Sequence, residues 1–454
     1  MVQPPQLLNL ISLLQGGRKA EDIYRAIEHA ASHGGLSAGT QLPTVRDLAT
    51  TLKVNKNTVA AAYRMLLDGG IIATNGRRGS VVAGRLPSGP AFPAAVPAAG
   101  SPVVALHDGN PDPAFLPTRP ELLAAFAALD LATPHLYGEV RNVPALLDLA
   151  RDAFAADHLH GPGIFVSGGA LDALERALRT HLKPGDKVAL EDPGYFTTIA
   201  LARALGLRPV PLRSDADGVL PASLAAALAG GCRAVLFSTR AQNPTGAATT
   251  AARAQELRPL VLPYPGVLFL DDDHSSLLEL APYVPWHHGA THWLTVRSFS
   301  KFLGPDLRVA VSTGDAATLA KLDYAQATSM GWVSTLLQHL VVQLLGTPAV
   351  RARIAAAGAA YRARFTELQA GLAALGLPAP GRAGLNLWVP LPDAAAAAQC
   401  LLAKGWLVRP GGEFCLQSPA GIRLTSARLQ SGQTEALLAA WRELAAPPAT
   451  TSLA

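Results

Sequence analysis

Apolar residues recur with a helical period through the first eighty residues of this 454-residue chain. A helix is predicted from about Ala20 to His33, where two glycines end it. A second helix is predicted over Val45 to Leu52, because its apolar residues follow the i, i+3, i+4, i+7 spacing of one helical face. A third begins near Lys56, and its apolar face consists of Val59, Tyr63, Leu66 and Leu67.

Short apolar runs replace the helical period beyond the third helix. Ile71, Ile72 and the run Ser80 to Val82 predict a small hairpin. After Pro102, β-rich runs alternate with helical segments rich in Ala, Leu and Arg, which predicts a mainly parallel sheet covered by helices. The runs are Lys187 to Leu190, Ala234 to Ser238, Val267 to Leu270, Trp293 to Ser298 and Val309 to Ser312. From about Gly346, a long Ala/Arg helix and a short strand near 386–389 predict a smaller α+β subdomain.

The length of the chain favours two or three domains over one hydrophobic core. Residues 84–102 contain five prolines and almost no charge, which is typical of a linker. We therefore predict four segments. They are an N-terminal domain at 1–83, the Pro/Ala-rich linker at 84–102, a large domain at 103–345 and a small C-terminal subdomain at 346–454.

Charge and cysteine content narrow the class of protein only a little. The net charge of +5 and the isoelectric point near 9.2 permit nucleic-acid or phosphate binding, and fit many unrelated enzymes equally well. The three cysteines, Cys232, Cys400 and Cys415, have no CxxC spacing, so neither a metal site nor a disulfide framework is expected. The sequence shows no signal peptide and no run of about 18 apolar residues, so we expect a cytoplasmic protein that does not enter a membrane.

The start of the third predicted helix presents short polar side chains and one cation. With its apolar face packed inward, Asn55, Lys56, Asn57 and Thr58 point outward, as in a recognition helix that enters the major groove. Arg77 and Arg78 lie at the tip of the hairpin, where they can reach phosphates or the minor groove. Each piece alone also fits a helix cap or a solvated arginine. Their order within some forty residues predicts a DNA reader.

The segment from about Tyr24 to Val82 resembles the GntR-type winged helix-turn-helix. This resemblance implies that the partner is a double-stranded DNA operator. The residues it places against DNA are Arg46, Asn55, Lys56, Asn57, Thr58, Arg77, Arg78 and Gly79. The family often has Arg two residues after the Thr that matches Thr58, whereas this chain has Ala60, so a different operator is expected.

A second constellation suits pyridoxal 5'-phosphate (PLP). The run Ser167 to Ala170 ends a strand and opens a helix, so the backbone N–H groups of Gly169 and Ala170 lie at a positive helix terminus that attracts phosphate. Ser298, Ser300 and Arg308 bracket Lys301. Arginine offers a planar, permanently charged fork to a phosphate, and the lysine can react with an aldehyde.

Three further strand ends supply the other groups that the cofactor needs. Tyr195 could lie over the ring, Asn243 could donate to the phenolate oxygen, and a carboxylate within Asp271 to Asp273 could hold the pyridine nitrogen protonated. Each group also has an ordinary structural explanation. The segment around Asn243 could be a Pro/Gly turn, Asp271 to Asp273 could cap a helix, and Lys301 could be a solvated surface lysine. Ligands bind at the carboxyl ends of parallel strands, so the joint occurrence favours a pocket.

These motifs resemble the fold-type I, aspartate aminotransferase-like PLP enzymes over about 103–444. The resemblance makes Lys301 the Schiff-base lysine, Asp272 the pyridine partner and Asn243 the phenolate donor, and it matches Arg423 to the arginine that grips an amino-acid carboxylate. His274 stands where the aminotransferases have tyrosine. Protonation of His274 near neutral pH would perturb the cofactor, so efficient transamination is not expected.

A GntR-like reader linked to an aminotransferase-like domain resembles the MocR subfamily of bacterial regulators. The fold class expected is a winged helix-turn-helix (α+β), then an α/β fold-type I transferase-like large domain with a smaller α+β subdomain. The resemblance implies a homodimer whose pocket senses PLP or a small amine that reacts with it. The variants at 240–244 and 272–274 look similar to regulators of vitamin B6 salvage, so a B6 vitamer is the first candidate effector. The alternatives are an aminotransferase with a DNA-binding appendage, and a vestigial pocket in a domain that only dimerises.

Overall fold

The part of the chain that the structure describes forms two compact units. The structure, a computed structural model, describes residues 18–32, 36, 39–68, 71–74, 79–82, 103–130 and 135–445. One unit contains the described residues up to 82 together with Lys183–Asp186 and Ala200–Arg208, and the other contains the remainder from 103 onward. The predicted linker at 84–102 lies outside the described residues, so its boundaries stay predictions.

The N-terminal unit packs helices against a short hairpin. Its elements are α1 (Ala20–Ser32), α2 (Val45–Leu52), α3 (Lys56–Asp68), β1 (Ile72–Thr74) and β2 (Ser80–Val82). The strands pair antiparallel, and Gln41 forms a bridge to Val81 on the other edge of β2. Ile27, Leu48, Val59 and Leu66 are fully buried in the shared core. The predicted apolar faces therefore pack as expected, and α2 has the predicted bounds.

Local hydrogen bonds fix the turn between α2 and α3. Thr44 Oγ1 accepts from the backbone N–H of Asp47 at 3.2 Å and so caps α2, while Lys53, at φ +50°, ends that helix. Tyr63 Oη on α3 donates to the carbonyl of Pro43 at 2.7 Å. This bond ties the body of α3 to the start of α2, so the first turn of α3 has a defined position relative to α2.

An eight-stranded sheet forms the centre of the second unit. The strands run in the order β4-β11-β10-β9-β8-β5-β6-β7. Pairs β5–β8, β8–β9 and β9–β10 are parallel, whereas β11 is antiparallel to both β10 and β4. The bounds are β4 (Phe165–Ser167), β5 (Lys187–Asp192), β6 (Arg208–Asp215), β7 (Gly218–Val219), β8 (Cys232–Phe237), β9 (Leu268–Asp273), β10 (His292–Ser298) and β11 (Ala310–Gly314). The predicted mainly parallel sheet is thus a mixed sheet with a parallel centre.

Helices accompany these strands, as the alternating pattern predicts. Apolar side chains from both the sheet and the helices, among them Phe154, Leu257 and Phe269, share one buried core. The helices are α4 (Arg119–Ala127), α5 (Pro144–Ala156), α6 (Ala170–His181), α7 (Phe196–Ala204), α8 (Pro221–Ala229), α9 (Ala251–Val261), α10 (Ser300–Leu303), α11 (Ala316–Ala327) and α12 (Thr335–Gly346).

A second core belongs to the C-terminal part of the chain. Helix α13 (Pro348–Ala374) contributes to both cores, since Ile354 packs with the large sheet and Leu372 with the second core. The segment at β3 (Val104–Ala105), which the sequence analysis assigned to the large domain, pairs with β13, and Leu106 is buried in the second core. The remaining elements are β12 (Leu387–Pro390), α14 (Ala394–Ala403), β13 (Trp406–Leu407), β14 (Arg409–Pro410), β15 (Gly421–Leu424) and α15 (Gln433–Ala445).

Helix length and the grouping of metal-ligating side chains bear on the class of function, within the part of the chain that the structure describes. No single helix there is long and apolar enough to cross a membrane. The helices Thr335–Gly346 and Pro348–Ala374, which meet at a bend of 79°, would be long and apolar enough only if they are taken together. Within the same ranges, no group of three or more His, Cys, Asp or Glu side chains is arranged to hold a metal ion.

Candidate functional site

The predicted DNA-reading residues of the N-terminal unit are mostly exposed. Asn55, Lys56 and Asn57 at the start of α3 are exposed, Thr58 is half-buried, and Arg46 on α2 is exposed. Asn55 Oδ1 accepts from the N–H of Asn57 at 2.9 Å, which opens α3. Gly79 is exposed at φ +79°, whereas Arg77 and Arg78 lie outside the described residues. Polar, exposed residues in the first turn are what a recognition helix requires.

The predicted cofactor residues of the second unit come from one edge of its sheet. Because β5, β8, β9 and β10 are parallel, their carboxyl ends meet at the same edge. β11 runs against β10, and β4 against β11, so the end of β4 and the start of β11 reach that edge as well. The topology therefore brings together residues that are up to 141 positions apart in the chain, from Ser167 to Arg308.

Gly168, Gly169 and Arg308 form the predicted phosphate end of the pocket. Arg308 Nη2 donates to the carbonyl oxygen of Gly168 at 3.0 Å. Gly169 has φ +106°, and a Cβ at this position would overlap the Arg308 guanidinium, so only glycine fits. Ala170 is the first residue of α6. Ser298 and Ser300 hydroxyls share a hydrogen bond of 2.8 Å directly before Lys301.

Lys301 occupies a site that favours its neutral amine. Burial and, next, the Arg423 guanidinium lower the pKa of Lys301 to about 8, although Asp108 and Asp272 act in the opposite sense. Its Nζ donates to the carbonyl oxygen of Gly109 at 2.8 Å. A depressed pKa provides a useful fraction of unprotonated amine near neutral pH, as a nucleophilic lysine needs.

Asp272 has an unusual environment for a carboxylate. Burial, followed by the negative charges of Asp271 and Asp273, raises the pKa of Asp272 to about 7, and Lys301 offsets part of this rise. Its Oδ1 is buried without a hydrogen-bond partner among the described residues. A buried acceptor without a partner is costly, so this atom is available to a ligand that brings a donor.

The protonation state of His274 differs from the one that the sequence suggests. Burial and the nearby Lys301 lower the pKa of His274 to about 4, against a usual value of 6.5. The imidazole is therefore neutral at neutral pH. The expectation that its protonation would perturb the pocket near pH 7 is wrong, because the sequence does not reveal how far the ring is removed from water.

Arg423 lies on β15, and only 1 % of it is exposed. Its Nη1 donates to Asn243 Oδ1 at 3.3 Å and its Nη2 to the carbonyl of His107 at 2.6 Å. Burial and the nearby Arg409 lower the pKa of Arg423 to about 10, so the group stays charged. The half-buried Tyr195 lies close enough to interact electrostatically with it.

Sequence reasoning missed contacts made by backbone atoms and by one anchoring carboxylate. The carbonyls of His107 and Gly109 reach Arg423 and Lys301, yet a backbone oxygen carries no side-chain signature. Asp192, at the end of β5, accepts from the backbone N–H groups of Leu416, Gln417 and Ser418, each at 2.8 Å. Asp192 therefore fixes a C-terminal loop to the edge of the sheet, three residues before Tyr195.

Comparisons with known proteins match two successive parts of the chain to different families. Residues 19–82 match the family described as bacterial regulatory proteins, gntR family, and residues 107–440 match aminotransferase class I and II. The chain is 40 % identical, over 93 % of its length and 97 % of the relative, to the vitamin B6 salvage pathway transcriptional repressor PtsJ of Salmonella typhimurium. It is 26 % identical to the HTH-type transcriptional regulator YdcR of Escherichia coli over 73 % of this chain and 76 % of that one.

Solved aminotransferases share the fold of the second unit. The α-aminoadipate aminotransferase LysN of Thermus thermophilus, complexed with N-(5'-phosphopyridoxyl)-L-leucine, has a TM-score of 0.65 at 22 % identity and covers 76 % of this chain and 91 % of its own. The aspartate aminotransferase of the same genus, with maleate, has a TM-score of 0.66 at 22 % identity, covering 76 % and 92 %. The reader-like unit, the aminotransferase fold and the full-length relative together place the chain in the MocR-type subfamily of GntR regulators, and it is a DNA-binding transcriptional regulator.

Proposed function

We propose that the chain is a PLP-responsive repressor that controls a gene of vitamin B6 salvage. The effector would be PLP itself or a small amine that reacts with it in the pocket. The full-length similarity to a repressor of this pathway supports the choice of pathway. The observation that carries the cofactor assignment is the occurrence, at one edge of the sheet, of Lys301, whose pKa is lowered to about 8, and of Asp272, whose Oδ1 has no hydrogen-bond partner among the described residues.

The residues of the pocket fit both the phosphate and the pyridine ring of PLP. The Gly169 position, which a Cβ would fill, and the Arg308 guanidinium would hold the phosphate together with the N–H of Ala170 and the hydroxyls of Ser298 and Ser300. Asp272 would hold the pyridine nitrogen, which brings the donor that Oδ1 lacks. Asn243 accepts from Arg423 through its oxygen, which leaves its amide N–H to donate to the ring phenolate. His274, Tyr195 and Arg423 would line the remaining sides.

When bound, PLP would supply an aldehyde with which a lysine nitrogen can condense, with loss of water. Lys301 provides that nitrogen without first losing a proton to solvent, because much of it is already neutral near pH 8. Asp272 keeps a proton at its carboxyl group up to about pH 7, and it becomes an ion partner once a protonated ring nitrogen faces it. Neutral His274 contributes a hydrogen-bonding ring and no charge.

We propose that the active form is a cytoplasmic homodimer, bound to the nucleoid when it holds its operator. Several large apolar side chains of the second unit are exposed, and Tyr137 is exposed to 91 %. Leu123, Phe126, Leu136, Val140 and Leu336 are exposed as well. Residues from this set line a cavity of about 730 Å³ beside Trp332. Exposed apolar patches of this kind mark interfaces between proteins.

The oligomeric state can be measured directly. Val140→Asp places a charge in the patch and is expected to shift the protein from dimer to monomer in sedimentation velocity. Arg233→Asp, a charge change on β8 outside the patch, serves as the control. A wild-type protein that sediments as a monomer at micromolar concentration contradicts the dimer.

The proposed function is tested by following the pocket and the DNA together. We expect PLP to give the purified protein visible absorbance, borohydride to fix a mass adduct on Lys301, and PLP to change its affinity for the DNA upstream of its own gene and of the neighbouring divergent gene. Arg46→Ala should lose DNA retention and keep the adduct. A colourless protein with no adduct contradicts the proposal. Steady turnover of an amino donor with 2-oxoglutarate, without salt-sensitive DNA retention, would favour the aminotransferase alternative.

A further inference from the structure

The peptide 107–109 stands between the two groups on which ligand recognition depends. Lys301 Nζ donates to the carbonyl of Gly109 at 2.8 Å, and Arg423 Nη2 donates to the carbonyl of His107 at 2.6 Å. Lys301 follows β10 of the large sheet, whereas Arg423 lies on β15 of the C-terminal sheet. One short peptide therefore accepts a hydrogen bond from each of these two side chains through its backbone oxygens.

Other bonds hold the same peptide on the C-terminal side. The N–H of Gly109 donates to Thr425 Oγ1 at 3.0 Å, and Arg428 Nη1 donates to Asp108 Oδ2 at 2.8 Å. Just before it, β3 pairs with β13. Gly109 has φ +70°, and a Cβ there would lie 3.1 Å from Arg423 Nη1, so alanine at this position would be strained and would press on the guanidinium. Among the described residues, the contact to Lys301 links the carbonyl of Gly109 to the β10 side.

We propose that the peptide 107–109 is an internal competitor for the pocket, which a ligand displaces and which passes that movement to the chain ahead of Val103. This inference rests on the proposed function. A lysine nitrogen in a C=N bond carries at most one hydrogen, which is fixed in the plane of that bond. Such a nitrogen cannot turn an N–H toward the carbonyl of Gly109 as a free amine can. A carboxylate on the ligand would compete in the same way with the carbonyl of His107 for Arg423.

The covalent chain provides the route to the DNA reader. Residues 103–106 connect this peptide to the predicted linker at 84–102, and the reader precedes that linker. PLP alone would release the contact to Lys301, whereas an amino acid joined to it would also release the contact to Arg423. A graded response follows, in which the peptide moves further with the second ligand. Only differential affinity for the two arrangements allows a ligand to shift them.

Hydrogen–deuterium exchange of the full-length protein tests the inference in the wild type. With PLP bound, we expect slower exchange at 168–172 and faster exchange at the amides of Gly109 and Asn110. The expected increase is about two- to tenfold, the effect of losing one neutral hydrogen bond. Unchanged or slower exchange at 107–110 in protein that carries the borohydride adduct overturns the inference and leaves the proposed function intact. Absence of the adduct refutes both.

A glycine pair supplies the matched variants. Gly109→Ala should disturb the peptide, bind PLP at least as tightly as the wild type, and show operator affinities with and without PLP that agree within about twofold. Gly376→Ala is the control, because it has φ +73°, is exposed, and has no other atom within 4 Å of the added Cβ. The control should keep the wild-type response. A Gly109→Ala protein that responds to PLP as the wild type does also overturns the inference.

Discussion

Replacing Gly169 by alanine isolates the phosphate cradle from general backbone strain. Gly169 has φ 106° and ψ 166°, a region that only glycine occupies readily, so alanine costs on the order of 1–3 kcal/mol in stability. Its Cβ would also displace the Arg308 guanidinium. Gly304→Ala has nearly the same backbone, with φ 104° and ψ 144°, and open space around the added Cβ. The two variants therefore share the strain and differ in the collision.

The collision should appear in PLP affinity. A hydrogen bond between Arg308 and a phosphate contributes about 1.5–3 kcal/mol, which corresponds to roughly ten- to hundredfold in affinity. We expect Gly169→Ala to bind PLP weaker by that factor than Gly304→Ala in an absorbance titration, while urea unfolding gives the two similar losses of stability. PLP affinities that agree within about twofold would refute the cradle as the phosphate site.

Three further predictions concern charge. Asp272→Asn should weaken PLP binding. Without PLP, it should stabilise the protein by up to a few kcal/mol, and this gain should grow from about pH 4 and level off above pH 7. The reason is that the raised pKa of Asp272 makes the folded state hold a proton that the unfolded state releases. An equal gain at pH 4 and pH 8 contradicts this. His274→Gln should flatten the loss of stability as the pH falls from about 6.5 to 4, because only the unfolded state binds that proton. Asp192→Asn should cost about 1–3 kcal/mol in urea unfolding, since three part-buried backbone N–H groups lose a charged acceptor and keep one amide oxygen; a loss under about 0.5 kcal/mol would show that they find other acceptors.

Periodicity predicted the elements well where one side of an element is buried. Helix α2 has the bounds Val45–Leu52 that its apolar spacing predicts, because Thr44 caps its start and Lys53 ends it. The direction of the strands was harder to predict from the sequence. β4 and β11 are short, and nothing in their composition reveals that β11 runs against its neighbours. The pairing of β3 with β13 joins residues some 300 positions apart, which no local pattern encodes.

The candidate site was predictable as far as side-chain chemistry marks it. Lys301, Arg308 and Asp272 have distinctive functional groups at strand ends, and the structure brings them to one edge of the sheet. The carbonyls of His107 and Gly109 were not predictable, since every residue has such an oxygen and only the fold selects these two. The pKa of His274 depends on burial, which also follows only from the packing.

The three consecutive aspartates illustrate how packing assigns roles that composition leaves open. Side chains alternate along β9, so Asp271 and Asp273 share one face and Asp272 has the other. Arg240 and Arg297 both bind Asp273 and, despite its burial, hold the pKa of that carboxyl well below its usual value. Asp271 instead accepts from Tyr283 and Thr239. Asp273 therefore stays ionised behind the pocket, and its charge, with that of Asp271, adds to burial in raising the pKa of Asp272. The ion cluster on the reverse face thus helps to keep the pocket carboxyl protonated until a cation faces it.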